Sequence, residues 1–496
     1  MAEAGGVAPP AGGGDAGRPL GPGPWWGRGE AVRAGAGAGA GVLGAGLLRW
    51  GAGWAGMQCG AAGCLAFLGA NWLAAGVERV REASGGGCGC PDEGTSSSAP
   101  TTRLGCTIIV PVKGCTSGRA RNWRQHLVSQ YPGPLELLYV VESQRDPAYA
   151  AVQLIRARAD ELKETSAGPR SVQVLVAGPA RTCSQKLHNM LEGIRQSSAA
   201  SEFVLFLDDD VLVHPRLVWD MQTAISSDPR AFVATGYPVD LVPSGSNLWA
   251  HAAAAFHLVL IPALSHGRSK FVWGGCMMFR REDLVRDSYR LVSTWSNGGY
   301  SDDLLAGAIC IENSLKIMCP PSALLLQPLD GKWTATSFWN YMRRQLFVLA
   351  TYSSPFSRRM HLALLCANAL FYATVVIGLA VSALVVVPVG LFNSDLDAPP
   401  PHGSLAVVVW CAAFTALACL GLMCRANVAA SAARLHEPPK CLHKWRFEWA
   451  LVALGFLTMA AFSPPAAALA ALCDTVTWSG IVYTKRRGRV VRIQPL

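Results

Sequence analysis

Apolar and polar positions alternate in blocks across residues 103–357, and the blocks predict strands separated by helices. Strand-length apolar runs fall at 107–112, 135–142, 172–177, 203–207 and 232–235. Helix-length segments at 119–129, 148–162 and 184–195 lie between the first four. This order predicts an α/β domain with a mostly parallel sheet and flanking helices. Its most informative stretch is 203–215, FVLFLDDDVLVHP, where an apolar run meets Asp208, Asp209 and Asp210 and apolar residues resume at Val211. A continuous apolar run of this length reads as a strand buried on both faces. Sheets of that kind bind ligands beyond the carboxyl ends of their strands. Strand alternation sends Asp208 and Asp210 to one side and Asp209 to the other.

The pattern outside this domain is of another kind. Residues 1–53 are a Gly/Ala-rich tail without the means to build a core. Residues 54–77 carry no charge over about the length that spans a bilayer, and are expected to be a signal anchor. Arg79 and Arg81 follow at once, which places the downstream domain on the cytosolic side. Residues 78–102 read as a linker. Further membrane segments are expected at 361–387 and 406–424. The apolar pieces 448–462 and 466–483, broken by Ser463-Pro464-Pro465, predict a membrane hairpin or re-entrant pair over 448–483, with a basic cytosolic tail at 484–496. The run 251–261, HAAAAFHLVLI, is too short to span and predicts a core or interfacial helix.

Composition agrees with a membrane protein. Of 496 residues 51% are hydrophobic and only 15% charged, which excludes an ordinary soluble enzyme. The net charge is +10, from 43 basic and 33 acidic residues. The basic residues sit beside apolar segments (Arg358 and Arg359; Lys485 to Arg489), as membrane flanks do, and no base-reading motif suggests a nucleic-acid partner. The 16 cysteines are scattered; Cys88 and Cys90 lack a second pair at zinc-finger spacing, and nothing demands disulfides, in keeping with a cytosol-facing domain.

Chemistry concentrates in a few stretches. Two carboxylates converging at Asp208 and Asp210 repel unless a cation sits between them, and oxygen ligands suit Mg²⁺ or Mn²⁺, whose shell is usually completed by water and a substrate's phosphates. CTIIVPVKGC contributes Lys113, VVESQRDPAY contributes Glu142 and Asp146, CSQKLHN contributes Lys186 and Asn189, and YSDDLL contributes Asp302 and Asp303. Each also has an ordinary reading: Glu142 as a solvated turn acid, Lys186 as a helix-surface lysine, Asp303 as the acid of a helix N-terminus.

Taken together and in this order, VPVKG, NWRQHLVSQYP, ESQRDPA, KLHN, DDD followed by HP, WGGCMMFRRED and SDDLLAGAI resemble the ceramide glucosyltransferases. These are inverting sugar-nucleotide transferases of GT-A type, related to the processive β-glycan synthases. The resemblance runs from about residue 107 to 344, and the ending TWSGIVYTKRRGRVVRI is similar to that family's basic tail. It implies that Glu142, in place of the usual Asp, or Ser143 on an ungapped alignment, lies by the uridine, with Lys113, Lys186 and Asp208 also at the donor. It implies that Asp208 and Asp210 hold the metal and that Asp303 is the general base. Arg344 fits the arginine of the family's closing motif within YMRRQ and is expected to be catalytic, with it or Lys186 adding positive charge at the diphosphate; Tyr341 and Gln345 replace other expected residues, and Trp333 or Trp339 then offers the aromatic surface. The implied reaction moves glucose from UDP-glucose to the primary hydroxyl of ceramide, in a Golgi or endoplasmic-reticulum membrane, on a multi-pass protein with its domain in the cytosol. A polyprenyl-phosphate or processive β-glycan transferase is the neighbouring alternative, and an inactive membrane scaffold the alternative from another class.

Overall fold

The computed structural model describes residues 104–162, 171–259, 267–381, 420–435 and 445–496, with a few isolated positions besides. The chain divides after Gly56 into two units, and the first lies outside the described residues. So do the expected linker and nearly all of the expected signal anchor.

The second unit is built on β1 (Gly105–Val112), β2 (Leu135–Val141), β3 (Ser171–Val176), β4 (Ser201–Leu207), β5 (Ala231–Thr235), β6 (Tyr237–Leu241), β7 (Gly267–Ser269), β8 (Cys276–Arg280), β9 (Lys316–Cys319) and β10 (Leu324–Pro328). An eight-stranded sheet runs β3-β2-β1-β4-β8-β5-β9-β7. Only β7 and β8 run against the rest, so the sheet is α/β and mostly parallel, with flanking helices, as expected. The apolar runs are continuous because both faces are covered. Ile108, Val110, Leu137, Leu205 and Leu207 join one core with Trp123 and Met221. Ile109, Leu138, Val204 and Phe206 point the other way, onto Leu187, Met190 and Trp295. The strand order reverses at β1, whose neighbours are β2 and β4, and a crevice beyond the carboxyl ends of β1 and β4 is where such a sheet takes its ligand.

A separate two-stranded parallel sheet pairs β10 with β6. Beside it the helix Leu248–Leu258, the expected short apolar helix, is buried against the helix Trp449–Leu472. Gly455 permits that approach, since a Cβ there would fall 2.7 Å from the carbonyl carbon of His251. The helices Pro355–Gly378 and Trp449–Leu472 are long and apolar enough to cross a membrane. Of their most apolar windows 22% and 39% are buried. Of the segment expected at 406–424, residues 420–424 belong to a helix running 420–432 and most of the rest lies outside the described residues.

The expectation for 448–483 is corrected. The helix starting at Trp449 runs straight through Pro464 and Pro465 and stops at Leu472. The prolines remove two backbone donors, but a neighbouring helix holds the turn, with Ser463 Oγ donating to Asn368 Oδ1 at 2.7 Å. The residues that follow are not a second membrane segment or a loose tail: β11 (Thr475–Trp478), β12 (Ile481–Arg486) and β13 (Arg489–Pro495) form an antiparallel sheet. Its turns, Ser479-Gly480 and Arg487-Gly488, have positive φ at both central residues, the geometry that matches strand twist in tight hairpins.

Candidate active site

β4 ends at Leu207, and residues 208–210 form a turn rather than more strand, so the three carboxylates fan out instead of alternating between two faces. Asp208 Oδ1 pairs with Lys186 Nζ at 2.7 Å. Asp209 Oδ2 accepts from Arg119 Nη1 at 3.1 Å, and Asp210 Oδ2 accepts from Gln327 Nε2 at 2.9 Å. Trp123 Nε1 and Asn122 Nδ2 donate to the carbonyls of Asp209 and Asp210, each at 2.9 Å, and fix the turn's backbone.

Lys186 enters from the helix Gln185–Gln196, which Ser184 caps. Its ammonium also reaches Asp302 Oδ2 at 2.9 Å and donates to the Gly274 carbonyl at 3.0 Å. Burial alone would lower its pKa, but Asp208 and Asp302 together hold it raised, so the lysine stays charged. Asp302 and Asp303 open the helix Asp302–Glu312, whose cap is Ser301. The helix end favours acids there, so the ordinary reading of these two residues holds alongside any chemical one. Asp303 Oδ1 accepts from the Ser301 hydroxyl and from Leu304 N, while Oδ2 accepts from Gly274 N at 3.1 Å. Asp303 is partly exposed; Asp302 is buried, and burial pushes its carboxyl up to about 6 against the pull of Lys186.

Gly274 joins the two acidic stretches. Its N–H goes to Asp303, its carbonyl to Lys186, and the carbonyl of Gly275 accepts from Asp208 N at 2.9 Å. A Cβ on Gly274 would sit 2.7 Å and 2.8 Å from the carboxylate oxygens of Asp302, so only glycine fits.

The other expected residues are placed as follows. Lys113 and Glu142, just past the ends of β1 and β2, pair at 2.5 Å beside the crevice. Arg344 does not reach the aspartates; its guanidinium lies over the Tyr341 ring at 5.7 Å and the Trp478 ring at 5.3 Å. Trp333 meets Tyr341 edge-on at 5.4 Å, and Trp339 meets Phe462 at 5.8 Å.

Sequence reasoning overlooked Arg119, Gly274, Gln327, the pairing role of Asp302, and the C-terminal sheet. Tyr483 on β12 accepts from Gln185 N at 3.2 Å, immediately before Lys186. Tyr300, two residues before Asp302, packs against Tyr483 and Phe347, each with ring centroids 5.3 Å away. The end of the chain therefore braces both Lys186 and the Asp302–Asp303 pair.

Asp208 and Asp210 are the candidate pair for a hard divalent cation. Asp210 Oδ1 is buried without a hydrogen-bond partner, and burial, with Asp208 nearby, pushes the Asp210 carboxyl above its ordinary range. Desolvated neighbouring carboxylates of this sort favour a cation between them. Among the described residues no group of three His, Cys, Asp or Glu side chains suited to a metal occurs, so a divalent ion here would rest on two carboxylates together with phosphate and water ligands.

Comparison with known proteins follows the geometry. The sequence model of Glycosyl transferase family 21 matches residues 79–287, which include Lys113, Glu142, Lys186, the 208–210 turn and Gly274. Over these residues the chain is similar to the family 21 glycosyltransferases. The match stops short of Asp302 and Asp303, so those two join the candidate site on geometry alone. No curated protein sequence matches the chain. Among solved structures it is similar to the mannosyltransferase PcManGT from Pyrobaculum calidifontis in complex with GDP-Man and Mn²⁺, at 17% identity over 83% of this chain and 99% of that one, with a TM-score of 0.36. It is also similar to S. aureus TarS 1–349 in complex with UDP-GlcNAc, at 10% identity over 78% and 98% of the two chains, with a TM-score of 0.31. Likenesses this distant carry no argument about activity or ligands.

Proposed function

We propose that this glycosyltransferase moves glucose from UDP-glucose to the primary hydroxyl of ceramide with inversion at the anomeric carbon, giving glucosylceramide. The reading places it in a Golgi or endoplasmic-reticulum membrane as a multi-pass protein, with the catalytic region facing the cytosol. One observation carries the enzymatic part: Lys186 bridges Asp208 and Asp302, and the Gly274 loop ties in Asp303, so three distant stretches meet at the reversal point of the sheet. The resemblance of these stretches to the ceramide glucosyltransferases carries the choice of donor and acceptor. The two apolar helices of membrane-crossing length support a membrane setting.

The roles follow from the surroundings of each group. Asp208 and Asp210 would hold Mg²⁺ or Mn²⁺, which supplies Lewis-acid neutralisation of the leaving diphosphate. Lys186, kept protonated and aimed by Asp302, adds fixed positive charge beside the same turn. Lys113 and Glu142 flank the nucleotide. Asp303 keeps one carboxylate oxygen bound only by the Gly274 N–H and is partly exposed, so it can take the proton of an incoming hydroxyl. Such general-base help is typically worth about 10²–10⁴-fold. Asp302, buried and engaged by Lys186, serves instead as the lysine's counter-ion. Arg344, braced between Tyr341 and Trp478, lies toward the acceptor side.

The test is product identification. Membranes containing the protein are given a panel of labelled UDP-sugars, ceramide and Mn²⁺. A single glucose on ceramide is the expected product. A polymer, a polyprenyl-phosphate sugar, or no transfer from any UDP-sugar overturns the reading.

A further inference from the structure

Gln327 on β10 and Asp240 on β6 are register partners in a parallel pair, so their side chains leave the same face. Gln327 reaches forward to Asp210, and Asp240 Oδ2 meets His257 Nδ1 at 2.8 Å. Along this row, beyond the Asp210 carboxylate assigned to the metal, two oxygens are buried with no hydrogen-bond partner: Gln327 Oε1 and Asp240 Oδ1. The Asp240 side chain is only 2% exposed. Tyr341 packs edge-on against Phe256, the chain neighbour of His257, with ring centroids 5.9 Å apart.

A buried acceptor left without a donor is destabilising, so two on neighbouring strands ask for a ligand rich in donors. The negative charge at Asp240 and Asp210 disfavours an anion. A second metal is a poor occupant, because no set of three His, Cys, Asp or Glu side chains suited to one occurs among the described residues. Neutral hydroxyl and amide N–H groups fit. The far end of the row is His257, on the helix Leu248–Leu258, and that helix lies against the apolar helix Trp449–Leu472. A ligand seated here would have its polar end at the 208–210 turn and its apolar part toward that apolar helix.

We infer that Asp240, Gln327 and Tyr341, with His257 orienting Asp240, form a headgroup subsite that selects lipid acceptors carrying a second hydroxyl or an amide N–H beside the hydroxyl that reacts. The inference rests on the ceramide reading above and goes beyond it by naming what recognises the headgroup. A site built to hydrogen-bond a substrate hydroxyl rejects the analogue lacking it, because its own buried groups are then unpaired.

The experiment uses the full chain in detergent–lipid micelles, with UDP-glucose, Mn²⁺, and either ceramide or its analogue lacking the secondary hydroxyl. The wild type should prefer ceramide by roughly tenfold or more in kcat/KM, the size of one lost hydrogen bond to a charged group. Asp240→Asn should raise the KM for ceramide by about tenfold and shrink that preference to within about threefold, while the KM for UDP-glucose stays put. His257→Gln, which keeps a donor-capable side chain at a position 15% exposed, should reduce the preference in the same direction if Asp240→Asn fails to accumulate. An unchanged preference in the variants, an indifferent wild type, or a parallel loss on both acceptors with a shifted donor KM overturns the subsite. If the wild type glucosylates no ceramide, the ceramide reading falls and takes the subsite with it.

Discussion

Lys186 is the residue whose removal the structure makes most consequential. Lys186→Met keeps the length of the side chain and deletes an ammonium that lies 2.7 Å from Asp208, 2.9 Å from Asp302 and 3.0 Å from the Gly274 carbonyl. Breaking a buried ion pair from one side typically costs about 3–5 kcal/mol, because the remaining charge has no partner. The Asp302 side chain, 9% exposed, bears that cost in full; Asp208, 31% exposed, can hydrate and bears little of it. The net loss is therefore about 2–4 kcal/mol, or a fall in unfolding temperature of roughly 4–15 °C at the usual 2–4 °C per kcal/mol for domains of this size. The assay is thermal unfolding of the detergent-solubilised chain without donor or added metal. Adding Asp302→Asn to Lys186→Met should restore part of the loss, giving a coupling of about 1–3 kcal/mol in the double-mutant cycle. A Lys186→Met protein that melts with the wild type, or a cycle additive to within about 0.5 kcal/mol, would refute the bridging role.

Three other outcomes follow from the same contacts. Asp302 has its carboxyl raised to about 6 in the fold against about 3.9 unfolded, so its protonated form contributes stability below about pH 4 that is lost as the pH rises through 6. Asp302→Asn should remove that slope, on the order of 2–3 kcal/mol across the window, and parallel stability curves for variant and wild type would contradict it. Gly274→Ala drives a methyl group into the Asp302 carboxylate and should lower kcat by about 10²-fold, as misplacements near 1 Å do, with protein still accumulating in the membrane; near-normal turnover would show that the loop has slack. Tyr483→Phe leaves Gln185 N without its acceptor and should cost about 1–3 kcal/mol in unfolding experiments, whereas an unaffected protein would separate the C-terminal sheet from the Lys186 helix.

β1 to β4 are legible in the sequence because a strand covered on both faces has to be apolar throughout, and that signal needs no partner to be read. β6, β9 and β10 are short and carry polar residues such as Asp240, Lys316 and Gln327, whose meaning depends on neighbours far along the chain. The partners of the 208–210 turn show the same limit: Asp209 finds Arg119 from 90 residues away and Asp210 finds Gln327 from 117 away. Spacing identifies the acids and says nothing of what separates them. The C-terminal sheet is a different failure, since its signals were present. Ile481, Tyr483 and Lys485 are buried at alternate positions, and Ser479-Gly480 and Arg487-Gly488 are hairpin turns, yet the apolar content of 466–483 suggested a membrane segment. Period two outweighs apolar content when charged residues share the stretch.

The most direct test is the anomeric configuration of the lipid product, read by NMR, from the wild type and from Asp303→Asn. The account predicts a β-linked glucoside from the wild type. It predicts less than about a hundredth of that amount from the variant, the loss expected for a missing general base, with UDP-glucose affinity within twofold. An α-linked product, or a variant keeping more than about a tenth of wild-type turnover, contradicts it.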